Sequence, residues 1–168
     1  DPVIKTVPKV ENVSIWNFYP DSDAKNMDEC EFVIQRHRMS HSDMRGLKKR
    51  PYFREDAIDS AVEMGTNYVL EDYRNTYDVD RFEILEFWGN IDRTAAEEAG
   101  LEVPADLRDV DTLQVNCWAC HNQVLRLVIN PFTPKRIPYF AAPYELNPYS
   151  FFGVGLAENM TDTQQLMN

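Results

Sequence analysis

The alternation of apolar and polar positions predicts four clear strands, at residues 31–39, 82–88, 113–118 and 124–129. These runs are rich in β-branched and aromatic residues, which pack well on a pleated surface. Gly89-Asn90 is expected to end the second run. Residues 119–123 are expected to join the last two runs as a hairpin.

Residues 1–21 carry a weaker pattern of the same kind. Apolar residues alternate with polar positions, which predicts one or two short strands broken at Pro8 and closed by a Pro20-Asp21 turn; they are Val3, Val7, Val10, Val13 and Ile15. The three aromatic residues at the end of this stretch are expected to be buried in the core, because aromatic side chains dominate the burial energy of small folds; they are Trp16, Phe18 and Tyr19.

Helical spacing and capping signals predict three short helices between these strands. The first covers about residues 41–49, with Ser40 and Asp43 as a capping box and with a basic last turn made of Lys48, Lys49 and Arg50. The second covers about residues 55–64 and ends at Gly65. The third covers residues 94–99, with Thr94 and Glu97 as a second capping box and Gly100 as its stop. Residues 66–80 are expected to be an irregular loop.

The last third of the chain is dense in aromatic residues, prolines and glycines. Proline excludes one long helix, and the apolar content is too high for a disordered linker, so residues 129–155 predict a fixed, packed path with a close backbone turn at Gly153-Val154-Gly155. From Leu156 the spacing predicts a helix with one apolar face and no stop signal before Asn168.

These elements together predict an α+β fold of short antiparallel strands, hairpins and short helices that ends at the start of a longer helix. Residues 1–80 and 81–168 are expected to form one continuous domain. Because the chain begins without Met and ends within a predicted helix, we expect it to be an internal piece of a larger protein.

The chain has 168 residues and a net charge of −11, from 28 acidic against 17 basic residues. Such a balance argues against a surface that grips nucleic acid, which would be basic. Two interpretations remain: an acidic surface that keeps the protein soluble, or a negative wall past which DNA slides without adhering. No run of 18 apolar residues and no signal peptide is visible.

The sequence Cys117-Trp118-Ala119-Cys120-His121 matches the C-x-x-C-H attachment motif of c-type haem. A monohaem electron-transfer protein is therefore an alternative function, with Cys117, Cys120 and His121 as the cofactor-binding residues. Against it, the motif lies at a predicted hairpin, where Cys117 would pack in a strand and Cys120 would stand in an exposed turn, and no sixth ligand stands out. A zinc site would need a fourth ligand such as Cys30.

The chain carries no other recognisable chemical motif. It has no G-x-S-x-G and no P-loop, and Glu83, Glu86, Glu97 and Glu98 are expected to be solvated carboxylates. The sequence predicts no catalytic residue, no cofactor and no metal, and it does not indicate which residues would face DNA.

Several short stretches in order resemble the portal, or head–tail connector, proteins of tailed bacteriophages, especially those of short-tailed phages. They run from the N-terminal part to the C-terminal part of the chain and are residues 11–13, 16–21, 28–30, 36–40, 84–89, 136–139, 143–145 and 147–155, with Glu158 and Gln164.

This resemblance implies a structural subunit and not an enzyme. It implies a closed ring of about twelve identical subunits at one vertex of the phage head, through which double-stranded DNA is packaged and ejected without sequence-specific binding. The implied partners are the capsid protein, the terminase motor and the tail adaptor proteins, with no membrane. The implied location is the head–tail vertex of the virion, and the host cytoplasm during assembly.

Overall fold

The computed structural model describes residues 9–67 and 80–167. Its elements follow the chain as five strands, four helices and two single 3₁₀ turns. The strands are β1 (Phe18–Pro20), β2 (Phe32–Met39), β3 (Phe82–Asp92), β4 (Thr112–Cys120) and β5 (Gln123–Ile129). The helices are α1 (His41–Leu47), α2 (Glu55–Glu63), α3 (Arg93–Glu98) and α4 (Leu156–Met167), and the 3₁₀ turns are Ile15–Asn17 and Ala105–Leu107.

The five strands form one antiparallel sheet in the order β1-β2-β3-β4-β5. Each strand pairs with its sequence neighbour, so the sheet is a meander, and β3 is the long central strand. Its pairing with β4 runs from Ile84 opposite Cys120 to Asp92 opposite Thr112. The predicted α+β class with antiparallel strands is confirmed.

The sheet separates two hydrophobic clusters. The first lies under α1 and α2 and includes Phe82, Ile84, Trp118, Cys120 and Leu125. The second lies against α3 and the 99–107 loop; its buried members are Ala96, Leu113, Val115 and Leu127. Because successive side chains of a strand point to opposite faces, β4 supplies both clusters with its own residues.

Capping explains why the helices begin and end where they do. The Ser40 hydroxyl accepts the backbone N–H of Asp43, and the Asp43 carboxylate accepts that of Ser40, so the predicted capping box of α1 is confirmed. Gly65 follows α2 at a φ of 85° and Gly100 follows α3 at 83°, values that favour glycine at a helix C-terminus.

Two strand boundaries differ from the prediction. Gly89-Asn90 does not end β3, which continues to Asp92, because β4 pairs with it along that whole length. A Cβ at Gly89 would lie 2.6 Å from the Cβ of Phe32, so glycine here serves a close approach between strands and not a turn. The hairpin between β4 and β5 is also tighter than predicted, with only His121 and Asn122 outside the strands.

Two predictions about the helix ends are wrong. The Thr94–Glu97 capping box does not form: α3 begins one residue earlier, and Glu97 pairs with Arg93 instead. Helix α1 ends at Leu47, so the three basic residues predicted for its last turn follow it, and Lys48 pairs with Asp59 of α2.

The expected N-terminal core residues also differ. Trp16 is 77% exposed and Tyr19 is 43% exposed, so neither is a core residue, while Phe18 is half-buried. The predicted strand does not cover Val10 to Ile15: residues 9–14 form no strand, and Ile15 begins a 3₁₀ turn. Outside the described residues lie the predicted strands at Val3 and Val7, the break at Pro8, most of the predicted 66–80 loop (residues 68–79) and Asn168. No helix in the described part of the chain is long and apolar enough to cross a membrane.

Candidate interaction surface

The chain beyond β5 is tied to the sheet by the buried side chain of Asn130. Its Nδ2 donates to Gln114 Oε1 at 2.8 Å and to the carbonyl of Arg136 at 2.9 Å, and its Oδ1 accepts the N–H of Phe132 at 2.9 Å. This amide therefore fixes the start of the C-terminal segment, which we define as residues 130–155.

Aromatic contacts hold the rest of the C-terminal segment against β1, β2 and β3. The ring of Phe132 lies 5.9 Å from that of Trp88, and Tyr139 lies 5.3 Å from Phe18. The hydroxyl of Tyr139 donates to Gln35 Oε1 at 2.6 Å. Burial raises the pKa of Tyr139 well above its ordinary value, so the phenol stays a neutral donor.

The close backbone approach predicted for the glycine turn is confirmed at Gly153. A Cβ there would lie 2.3 Å from the carbonyl oxygen of Glu145 and 2.5 Å from the Cβ of Pro143, and the Val154 N–H donates to that same carbonyl. Gly155, by contrast, has open space around it. The turn therefore depends on the first glycine and closes the C-terminal segment on itself before α4.

Most of the exposed large apolar side chains belong to two stretches, residues 10–19 and 140–167. We call this set the apolar surface: Val10, Ile15, Trp16, Tyr19, Phe140, Tyr144, Leu146, Tyr149, Phe152, Leu156, Met160 and Met167. Phe140 is 86% exposed and Tyr149 is 89% exposed. The two stretches meet along a groove of about 640 Å³, lined by Val10, Val13, Phe18, Phe140, Tyr144 and Phe152 among others. Exposed apolar side chains grouped along such a groove are typical of a protein–protein contact.

A polar network lies on the sheet face that carries the first cluster, centred on Glu86. Its carboxylate accepts from Trp88 Nε1 at 2.8 Å and Asn116 Nδ2 at 3.0 Å, and it lies 2.8 Å from His37 Nε2. Burial by itself raises the pKa of Glu86, but the hydrogen bonds from these three donors outweigh it and hold the pKa below its ordinary value.

The prediction that Glu86 is a solvated carboxylate is therefore wrong. The signal was present in the sequence, because Glu86 has the same strand parity as the buried Phe82 and Ile84. The network joins three strands, and His37 also stacks on Trp118 with ring centroids 4.8 Å apart. The arrangement positions strands and offers no open reacting group.

The geometry does not support the haem alternative. Cys117 packs with the second cluster and Cys120 with the first, so the two thiols lie on opposite faces of the sheet and cannot both reach one porphyrin. Burial raises the pKa of Cys117, and it raises that of Cys120 to about 11, so both remain protonated and apolar. The expectation that Cys120 stands in an exposed turn is wrong, because Cys120 is buried at the end of β4.

His121 is in the hairpin turn at a φ of 52°, and its Nε2 lies 2.9 Å from the carbonyl of Gly65. Within residues 9–67 and 80–167, no three His, Cys, Asp or Glu side chains are grouped so that they could hold a metal ion. Cys30, the fourth ligand considered for zinc, donates to the carbonyl of Asn26. The C-x-x-C-H spacing is thus a feature of strand packing and turn geometry.

The described residues thus form an antiparallel meander sheet with a set of exposed apolar side chains, and among them the buried Trp118 Nε1 and Asn116 Oδ1 have no hydrogen-bond partner. Comparison with known families gives the class of the protein: the family described as phage SU10 portal protein matches residues 2–167. The chain belongs to this portal protein family. No curated protein matches the chain.

Membership confirms the resemblance found in the sequence and assigns the chain a phage portal role, with a place in a capsid-associated ring at the head–tail vertex of the virion. The family is structural. Phe140 and Tyr149 are the two most exposed aromatic side chains among the described residues, and they lie beside or within sequence stretches that carried the resemblance. Nothing in their local pattern distinguished an exposed aromatic side chain from a buried one.

Proposed function

We propose that the chain is a structural subunit of a portal ring of about twelve copies, which forms the channel for DNA packaging and ejection. The observation that carries the proposal is the family match over nearly the whole chain, residues 2–167. In this role the protein performs no chemistry; it supplies a rigid ring that docks the terminase motor during packaging and the tail adaptor proteins afterwards. It assembles with the capsid protein in the host cytoplasm.

The charge of the chain supports passage of DNA without adhesion. A net charge of −11 repels phosphates, so DNA moving past such subunits would not be held by the phosphate contacts that dominate protein–DNA affinity. The DNA is contacted without regard to its sequence, and no membrane takes part.

We infer that the apolar surface is buried in contacts between subunits or with other virion proteins. Aromatic residues and methionine are enriched at the centres of such interfaces. We also infer that residues 1–80 and 81–168 are one continuous domain, since β2 of the first part pairs with β3 of the second along its whole length.

Electron microscopy of the full-length protein tests the proposal. We expect closed rings of about twelve-fold symmetry, and an asymmetric reconstruction of the virion should place the protein at one vertex only. Removal of the protein should yield heads that lack DNA. A protein that remains monomeric at high concentration, or that occupies every vertex, would contradict the proposal.

A substitution pair separates the apolar surface from a general loss of folding. Phe140→Ser with Tyr149→Ser should abolish or weaken ring formation while the far-ultraviolet circular dichroism and the melting temperature stay unchanged, because both side chains are exposed. Asn122→Ser, in the exposed β4–β5 turn, is the matched polar control and should leave assembly intact.

A further inference from the structure

Positive charge is concentrated in one part of this acidic chain. Residues 36–54 hold seven of the 17 Lys and Arg but only one of the 28 acidic residues, Asp43. In the structure, Arg45, Lys49 and Arg50 are exposed, and among the described residues no carboxylate lies within ion-pair distance of them. Their neighbour Lys48 is already paired with Asp59. We define Arg45, Lys49, Arg50 and Tyr52 as the basic corner.

Tyr52 gives this corner the composition of a binding site. Its ring is 74% exposed and its backbone has a φ of 68°, a left-handed conformation that is unfavourable for a residue with a bulky side chain. A strained backbone that presents an exposed tyrosine beside arginines suits the centre of an interface, where Tyr and Arg carry much of the binding energy.

The matching negative charge lies at the other end of the sheet. The β1–β2 loop carries the exposed Asp23, Asp28 and Glu31, and residues 102–111 carry the exposed Asp106, Asp109 and Asp111. We define these six residues as the acidic end. Both loops adjoin the end at which Phe32 pairs with Gly89 and Asp92 with Thr112.

The basic segment begins after the opposite end of the same strand, where α1 follows Met39. Strand β2 runs from Phe32 to Met39, a span of about 25 Å at the usual rise per residue. Helix α1 packs under Phe82, Ile84 and Cys120, which lie where β2 finishes. Residues 50–54 then reach the β5 edge, where Phe53 bridges Arg126 at the middle of the strand. The basic corner and the acidic end therefore occupy different parts of the surface of the subunit.

We propose that the basic corner of one subunit binds the acidic end of a second copy of the same chain in a head-to-tail contact. This inference rests on the proposed ring function and names one surface pair that builds the ring. Two different patches that complement each other make a heterologous contact, and repetition of such a contact closes a ring when the rotation permits. Complementary charge also selects the register and suppresses head-to-head pairs of like charge.

The competing partner for exposed cations is the phosphate backbone of DNA. The charge balance favours the second copy. The exposed cations of the corner stand beside the acidic helix α2, with Glu55, Asp56 and Glu63 exposed, and the remaining chain is strongly negative. DNA is a long polyanion, so the acidic residues around the basic corner would repel it along its length. Two loops of a neighbouring subunit are short enough to contact the basic corner without approaching those acidic residues.

Charge reversal in the full-length protein tests the contact. One variant carries R45E, K49E and R50E; a second carries D23K, D28K and E31K; a third carries all six changes. Assembly is followed by mass photometry and electron microscopy, and folding by circular dichroism. The variant R45K, K49R, R50K keeps every charge and serves as the control.

We expect each single-end reversal to raise the protein concentration for half-maximal assembly by about tenfold or more, because like charges then face each other across the contact. The variant with all six changes should reach half-maximal assembly near the concentration that the wild type needs. An equal mixture of the two single-end variants should do the same. The charge-conserving control should match the wild type.

Several results would overturn the contact. The first is that both single-end variants form rings as stable as those of the wild type. The second is that ring assembly is not restored in the variant with all six changes or in the mixture, although these proteins fold. The third is loss of DNA retention without loss of assembly, which would assign the basic corner to DNA. These results differ from failure of the proposed function, in which the wild-type protein itself forms no ring.

Discussion

The meander sheet and the C-terminal segment are both rich in aromatic residues but use them differently. In the sheet, Phe82 and Trp118 are buried against α1 and α2, and they hold the fold together. Beyond the sheet, Phe132 and Tyr139 anchor the C-terminal segment while Phe140 and Tyr149 stand in solvent. The difference teaches that aromatic content alone does not mark a core. Aromatic residues build a core where strand pairing forces one face inward, and they stay exposed where no other element packs on them.

The strongest test of this comparison truncates one aromatic side chain in each region. Phe82→Ala should lower the free energy of unfolding by about 3–5 kcal/mol, because it opens a cavity in the first cluster. Tyr149→Ala should change it by no more than about 0.5 kcal/mol. Urea denaturation of both variants measures the contrast. A large loss of stability for Tyr149→Ala would mean that this surface is part of the core.

The glycine turn offers a matched pair within the C-terminal segment. Gly153→Ala should destabilise by about 1–3 kcal/mol, since its new methyl group would overlap the Glu145 carbonyl and Pro143. Gly155→Ala, two residues on, meets no atom within 4 Å and should have little effect. Limited proteolysis within residues 140–155 reports the opening directly. Equal behaviour of the two variants would show that the turn is not packed as described.

The polar network tests whether the sheet depends on a buried carboxylate. Glu86→Gln should cost about 1–2 kcal/mol at neutral pH, because the contact with His37 loses its charged acceptor. Glu86→Leu, which removes the acceptor that all three donors share, should cost more than Glu86→Gln.

The same carboxylate gives the network a pH dependence. The pKa of Glu86 is held below its ordinary value of 4.5 in the folded protein, so its contribution is fully present above about pH 4.5 and is lost as the pH falls through the lower folded value. Urea denaturation at neutral and acid pH should show the difference between wild type and Glu86→Gln shrinking under acid. A difference that grows as the pH falls would contradict this sign.

A small effect on stability is also expected at Tyr52, an exposed aromatic residue outside the apolar surface. Tyr52→Gly removes the steric conflict of a left-handed backbone, which should stabilise the folded state by about 1 kcal/mol. The same change increases the conformational entropy of the unfolded chain, which opposes this gain. The net change in the free energy of unfolding should be within about 1 kcal/mol. A melting curve measures this change. A large loss of stability would show that the tyrosine side chain packs against the rest of the protein.

The sequence was informative wherever a local rule dominates. Strands β2 to β5 follow from alternation and β-branched content, because side chains on a pleated sheet repeat every two residues. The capping of α1, the glycine ends of α2 and α3, the start of α4 and the close turn at Gly153 follow from local backbone chemistry. The resemblance to portal proteins also required no coordinates, since it depends on the order of short stretches, and the family match agrees with it.

Long-range pairing decided the remainder. Gly89-Asn90 has the composition of a turn, yet β3 continues to pair with β4 beyond it. The hydrogen bonds between the two strands and the close approach of Phe32 outweigh the local preference for a turn. The motif at Cys117 and Cys120 has the spacing of a haem site, but the two thiols belong to different clusters on opposite faces of the sheet. The partial burial of Glu86, the exposure of Trp16 and the separation of the basic corner from the acidic end depend on which elements meet in space. Burial and charge separation are properties of assembled surfaces, so only the tertiary structure could determine them.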